Sequence, residues 1–228
     1  MTQIFSPAAS SPRWQLSAAC ERLEQMRRNL EDKRRGGLTD KNTALIRQVV
    51  TPGVWSRVVK LPPDLMSTAR SRRSSALLKA VMTAQLAVAI AILTAAPVRL
   101  ANLMAIRLGI NLIKPGGPHS SYWLTFPDYD VKNRVRLEYP LEQYLTRMID
   151  EYVHDFRPTL LHGRNDDWLF PGRRGGAKSN TLFSGQITQR IYQATGLRMT
   201  VHQFPVSPTL RSIAYRALRE RRARTELE

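Results

Sequence analysis

Residues 94–108 read TAAPVRLANLMAIRL and set Arg99 just after a break between two apolar pieces. Pro97 cannot continue a helix but suits the first turn of a new one, which predicts a helix from Val98 to about Leu108. Val98, Leu100, Leu103, Met104 and Ile106 supply its apolar contacts, and Arg99 stands among them in the first turn. A partly buried arginine needs a fixed anionic partner, because a desolvated charge left unpaired is costly. Two chemistries meet that need. One is a structural ion pair; the other is a phosphate, whose oxygens match the planar fork of guanidinium donors. Lys132 and His202 are the other candidates. A lysine in PDYDVKNR, between two strand-like runs, reads by itself as a solvated loop charge. His202, in LRMTVHQF, reads by itself as a structural histidine.

The elements that would carry these residues follow from periodicity and breakers. Residues 14–30 (WQLSAACERLEQMRRNL) have apolar positions at helical spacing and a basic outer face, and EDKRRGG closes that helix. Thr39 and Asp40 can cap a short helix to about Val50, which Thr51-Pro52-Gly53 breaks. A further short helix from Val54 leads to Leu61-Pro62-Pro63. An arginine-rich stretch then enters a long apolar helix at about residues 75–93. Its apolar core, residues 80–98, carries no charge and approaches membrane-spanning length. Its alanine content, its polar Thr83, Gln85 and Thr94 and its arginine-dense neighbours predict instead a helix buried inside a globular domain. Residues 109–113 are a short strand candidate. YWLTF (122–126) and VRLEYPL (135–141) read as a hairpin with Lys132 at or beside its tip. Residues 141–156 form an amphipathic helix stopped before Pro158. Asp167-Trp-Leu-Phe-Pro171 is a compact apolar anchor, followed by a basic glycine-rich loop at 172–178 and a helix at about 181–195 ended by Gly196.

Composition bounds the partner. Among 228 residues there are 35 Lys+Arg against 18 Asp+Glu, a formal net charge of +17, so a polyanion and first of all nucleic acid is expected. At 43% hydrophobic residues the chain is globular material. Cys20 is alone, which leaves no disulfide framework and no cysteine-rich zinc site and fits a reducing cytoplasm. MTQIFSPAASSPRW lacks the basic-then-apolar pattern of an export signal, and no membrane partner is expected.

Four features in order carry more than any one of them: an arginine opening a helix after Ala-Pro, a lysine on a hairpin, WLFP, and Thr-Val-His-Gln-Phe after a Gly-terminated helix. Over residues 76–204 the chain resembles the catalytic domain of the tyrosine recombinases, the phage-integrase family. The resemblance implies a mainly α fold with a small antiparallel β-sheet. It divides the chain into a partial N-terminal helical region (1–62, the end of a core-binding domain), a basic linker (63–75), the integrase-like domain (76–204) and a divergent basic helical tail (205–228). It also implies a reaction without metal or cofactor. A tyrosine attacks a phosphodiester of double-stranded DNA, leaving a 3′-phosphotyrosyl link that a 5′-hydroxyl resolves, with further recombinase protomers as partners. Arg99 would be the first phosphate arginine, Lys132 the general acid and His202 the start of the His-x-x-Arg motif.

The departures are equally specific. Pro205 stands where that motif has its second arginine, and PVSPTLRSIAYRALRERRARTELE follows in place of the family's last helices. Similarity that stops at one residue reads as a frame lost near codon 205, and so as a truncated and impaired recombinase. Arg211 is a candidate for the missing arginine and Tyr215 is the sole tyrosine after His202, but both lie at the wrong distance from it for the family. Three functional readings result: strand cleavage and rejoining in DNA integration and recombination, a catalytically inactive DNA-binding fragment, and a basic RNA-binding protein. The last explains the charge but not the order Arg99, Lys132, His202.

Overall fold

The computed structural model describes residues 51–96, 98–130 and 134–204, together with 25, 44, 45 and 47–49. The expected helix at 14–30 lies outside the described residues but for Gln25, and so do Pro97, Lys132 and the whole tail with Arg211 and Tyr215. Of the expected short helix ending near Val50, residues 44, 45 and 47–49 are helical, and Leu45 and Val49 are buried.

Helix α1 spans Val54–Arg72 and does not stop at Leu61. Pro62 and Pro63 lie inside it, although each removes a backbone donor and its ring crowds the preceding turn. The compensation is burial on both sides of the prolines: Val58, Val59, Leu61, Leu65, Met66 and Ala69 are all inside the core. Residues 63–72, expected as linker, are therefore the second half of a helix packed along α2. Helix α2 spans Leu77–Ala95, and Ala80, Val81 and every residue from Thr83 to Leu93 are buried. It is the one helix among the described residues long and apolar enough to cross a membrane, with mean hydropathy 1.9, and 72% of that window is buried inside the protein. The neighbours that cover it are α1, the helical segment through Tyr152–Leu161, and the later helix Asn180–Thr195.

At Ala96 the chain is extended, as the residue before a proline prefers. Helix α3 is only Leu100–Met104, shorter than the expected 98–108. Its continuation is captured by strand-like pairing. The Leu169 N–H donates to the Ile106 carbonyl at 2.9 Å, and the Leu108 N–H donates to the Asp167 carbonyl at 2.8 Å. Helical periodicity in 98–108 thus loses to the apolar anchor 167–171, whose Leu169 and Phe170 are fully buried. The sheet is antiparallel in the order β1 (Leu112–Ile113), β2 (Trp123–Phe126), β3 (Leu137–Pro140). Phe126 pairs with Leu137 and Trp123 with Pro140, so the expected hairpin forms, with Leu124 and Phe126 pointing into the core. Mainly helical, with one small antiparallel sheet: the α+β class holds.

The helix expected to end before Pro158 runs past it. Helix α4 (Gln143–Glu151) opens into a π-helical turn at Tyr152–Phe156 and resumes as α5 (Arg157–Leu161). The Arg157 N–H bonds to the Tyr152 carbonyl five residues back. That widened turn restarts the ladder, so Pro158 falls in the first turn of α5, where a missing N–H costs little. Helix α6 spans Asn180–Thr195 and ends on Gly196 at φ +74°, a left-handed position that a side chain would strain.

Candidate nucleic-acid interface

Arg99 is exposed, which corrects the expected partial burial. Its backbone is extended (φ −73°, ψ 157°) at the entrance to α3. In extended backbone successive side chains alternate faces. Val98 and Leu100 take the buried side and Arg99 the outer one. His202 is exposed as well. It sits in a 3-10 turn, Val201–Gln203, between buried neighbours Val201 and Gln203. A reciprocal capping box fixes that turn: the Gln203 Oε1 accepts from the Thr200 N–H at 2.8 Å, and the Thr200 side chain accepts from the Gln203 backbone. The exposure of His202 follows from the burial of Val201, Gln203 and Phe204 around it.

The elements bearing Arg99 and His202 converge, while Lys132 itself lies outside the described residues. Helix α3, led by Arg99, packs on α6, and the turn holding His202 packs on α6 too. Asn102 of α3 donates from Nδ2 to the carbonyl of Asp130 at 3.3 Å, tying α3 to the hairpin two residues from Lys132. The exposed Tyr129 and the left-handed Arg134 (φ 50°) bracket that tip.

Behind this surface lies a polar network that periodicity does not reveal. The Arg157 guanidinium, buried on α5, donates to the backbone carbonyls of Trp168 (2.9 Å) and Asp166, clamping the apolar anchor to the helix. Gln85 of α2 donates to the Tyr152 hydroxyl at 3.2 Å, which donates on to the Leu169 carbonyl at 3.1 Å. Burial pushes the Tyr152 phenol above its ordinary range. Lys178, from the basic loop, donates to Gln85 Oε1 and lies 4.6 Å above the Phe183 ring. Burial away from any carboxylate pulls its ammonium down to about 8.

Several cations elsewhere are held by carboxylates. Arg70 grips Glu151 with two bonds of 2.6 and 2.7 Å, and Arg73 reaches Asp155 at 3.3 Å. Arg107 grips Asp167, with its closest contact 2.6 Å, and stacks 5.3 Å above Trp168. Lys114 holds Asp150 at 2.8 Å, where the Tyr122 hydroxyl also donates at 3.0 Å. Arg72, Lys79 and Arg190 differ, having no carboxylate partner among the described residues. Sequence reading missed them, because Arg72 fell in the stretch assigned to a linker and Lys79 and Arg190 lie on two other helices. The available signal was the spacing of Gln186, Gln189, Arg190 and Gln193, which puts four polar groups on one side of a helix. No family model matches the chain, and no curated protein matches it.

Proposed function

We propose that this chain is a double-stranded-DNA-binding protein of the tyrosine-recombinase type, with Arg99, Lys132 and His202 directed at one phosphate. The observation that carries this reading is the convergence just described: α3 and the His202 turn share α6 as their support, and Asn102 ties α3 to the Lys132 hairpin. Exposure of Arg99 and His202 suits groups that must meet a duplex from outside. In strand cleavage a tyrosine oxygen bonds to phosphorus and the 5′-oxygen departs, taking its proton from Lys132. The 3′-phosphotyrosyl link is later resolved by a 5′-hydroxyl. Negative charge gathers on the pentacoordinate phosphate, and each preorganised donor there is typically worth ~3–4 kcal/mol.

A second reading, binding without cleavage, is favoured by Pro205, which supplies no cationic head where the His-x-x-Arg motif has its second arginine. One experiment separates the two. The full chain is incubated with duplex DNA carrying its target site, then denatured and resolved by electrophoresis. Recombinase activity leaves a covalent protein–DNA band that Tyr215→Phe removes if that tyrosine attacks. Binding alone leaves no band but a duplex affinity that falls steeply with salt, as counterion release requires. Tighter binding of single-stranded RNA than of duplex DNA overturns both.

A further inference from the structure

A groove of about 470 Å³ runs beside α6, bounded by the last turn of α1 and the first half of α2. Its volume lies within the roughly 300–1,000 Å³ of small-molecule sites. Three cations enter it from three elements: Arg72 from α1, Lys79 from α2 and Arg190 from α6. None has a carboxylate partner among the described residues, whereas Arg70 and Arg73, flanking Arg72, are paired to Glu151 and Asp155. Charge therefore stands on this side of α1 with no carboxylate among the described residues to neutralise it. That asks for an anion.

The rest of the lining asks for more than an anion. Met82 and Leu86 give the groove an apolar wall, and Leu78, 62% exposed, extends that wall at its rim. Gln186, Gln189 and Gln193 present carboxamides along α6 on the same side as Arg190. The Gln186 Oε1 is buried with no hydrogen-bond partner, an unusual condition for a polar atom. Carboxamides pair with adenine through its amino group and N7, guanidinium and ammonium groups bind phosphate, and an apolar wall suits the face of a base.

We infer that this groove binds a nucleoside 5′-phosphate unit. The cations take the phosphate, the α6 carboxamides the edge of a purine, and Met82 with Leu78 its face. The unit belongs either to a free nucleotide or to one residue of a nucleic-acid strand. The inference stands apart from strand cleavage, since neither Arg99 nor His202 lines the groove.

The test is NMR titration of the full chain with 5′-AMP, following the Gln186 side-chain amide and the Met82 methyl. Inorganic phosphate and a nine-nucleotide oligo(dA) are run in parallel. Saturable shifts at both probes are expected, with inorganic phosphate at least tenfold weaker. The double variant Arg72→Gln/Arg190→Gln should weaken AMP at least tenfold at an unchanged melting temperature. Gln186→Leu, which keeps the bulk and removes the amide, should weaken AMP but not inorganic phosphate. Oligo(dA) binding tenfold tighter than AMP, and lost in the double variant, assigns the site to a strand; equal affinity assigns it to the free nucleotide. No shift at millimolar AMP, a shift the double variant leaves unchanged, or inorganic phosphate as tight as AMP overturns the inference. Duplex binding that survives in the double variant distinguishes failure here from failure of the recombinase reading.

Discussion

Two faces of α1 use the same residue type for opposite ends. On one face Arg70 and Arg73 hold Glu151 and Asp155, stapling α1 to the helix that carries the π-turn. On the other face Arg72, with Lys79 and Arg190, lines a groove and meets no acid among the described residues. Surface ion pairs contribute little to stability, so the first face is not rich in free energy. What the pairs achieve is neutralisation: they remove two of three neighbouring arginines from the field of the protein. The excess of basic residues is thus not a uniform coat. Part of it is spent where a carboxylate is near, and part is left standing at the groove, where no carboxylate among the described residues meets it. The difference teaches that a net charge of +17 locates a polyanion only after the paired cations are subtracted.

The strongest test of that division concerns a cation paired with backbone instead of acid. Arg157→Met removes the buried donor that serves the Trp168 and Asp166 carbonyls. Losing these bonds at two partly buried acceptors should cost roughly 1–3 kcal/mol, read as a lower urea midpoint. A loss under about 1 kcal/mol would mean that water or a shifted side chain replaces the guanidinium. Lys178 comes next, because it is buried against neutral Gln85 and Phe183. The unfolded chain keeps this proton up to 10.5, whereas the folded protein releases it near 8. Between those values the unfolded state binds more protons, so stability rises with pH, and the penalty is complete below 8. The gain across the window should be on the order of 2 kcal/mol, allowing for partial exposure. Denaturation of the wild type and Lys178→Met at pH 7 and pH 10 checks this: the wild type should gain more. Parallel curves would show that the ammonium is solvated after all.

How much of this was legible in the chain varies with the range of the forces involved. The hairpin and α6 follow from local signals, alternation in YWLTF and Gly196 after the last helical residue. The burial of α2 follows from its lack of charge. Where long-range packing decides, local rules mislead. Pro62-Pro63 reads as a stop, yet Leu65, Met66 and Ala69 have core to bury and the helix continues. Pro158 reads as another stop, and a π-turn absorbs it. The apolar run after Arg99 reads as helix, yet 106–108 pair with 167–169, a partner some 60 residues away that periodicity cannot see. Of the candidate site, the order Arg99, Lys132, His202 stands in the sequence and is an expectation from it alone. The exposure of Arg99 was not readable there, since alternation in an extended segment and placement on a helix give the same residue opposite surroundings. The groove cations were invisible because each comes from a different element.

Smaller effects sharpen the comparison within α1 itself. Glu151→Gln removes the bidentate partner of Arg70, whose side chain is 60% exposed. The expected loss is under about 1 kcal/mol and shrinks in high salt. The variant should also unmask a cation, so its duplex-DNA affinity should fall slightly more steeply with salt than that of the wild type.

Arg72→Gln gives the smallest change in stability and, for that reason, the sharpest contrast. With no acid to lose, the variant should denature within about 0.5 kcal/mol of the wild type. If Arg72 neutralises a phosphate in a bound strand, the slope of log K against log salt should become shallower by about one unit. Arg70→Gln, one helical step away, should leave that slope unchanged, because Arg70 is already committed to Glu151. Equal slopes for the two variants would erase the distinction between paired and unpaired cations. A change for Arg72→Gln alone makes the carboxylate partner, and not the arginine, the feature that decides where this surface meets its ligand.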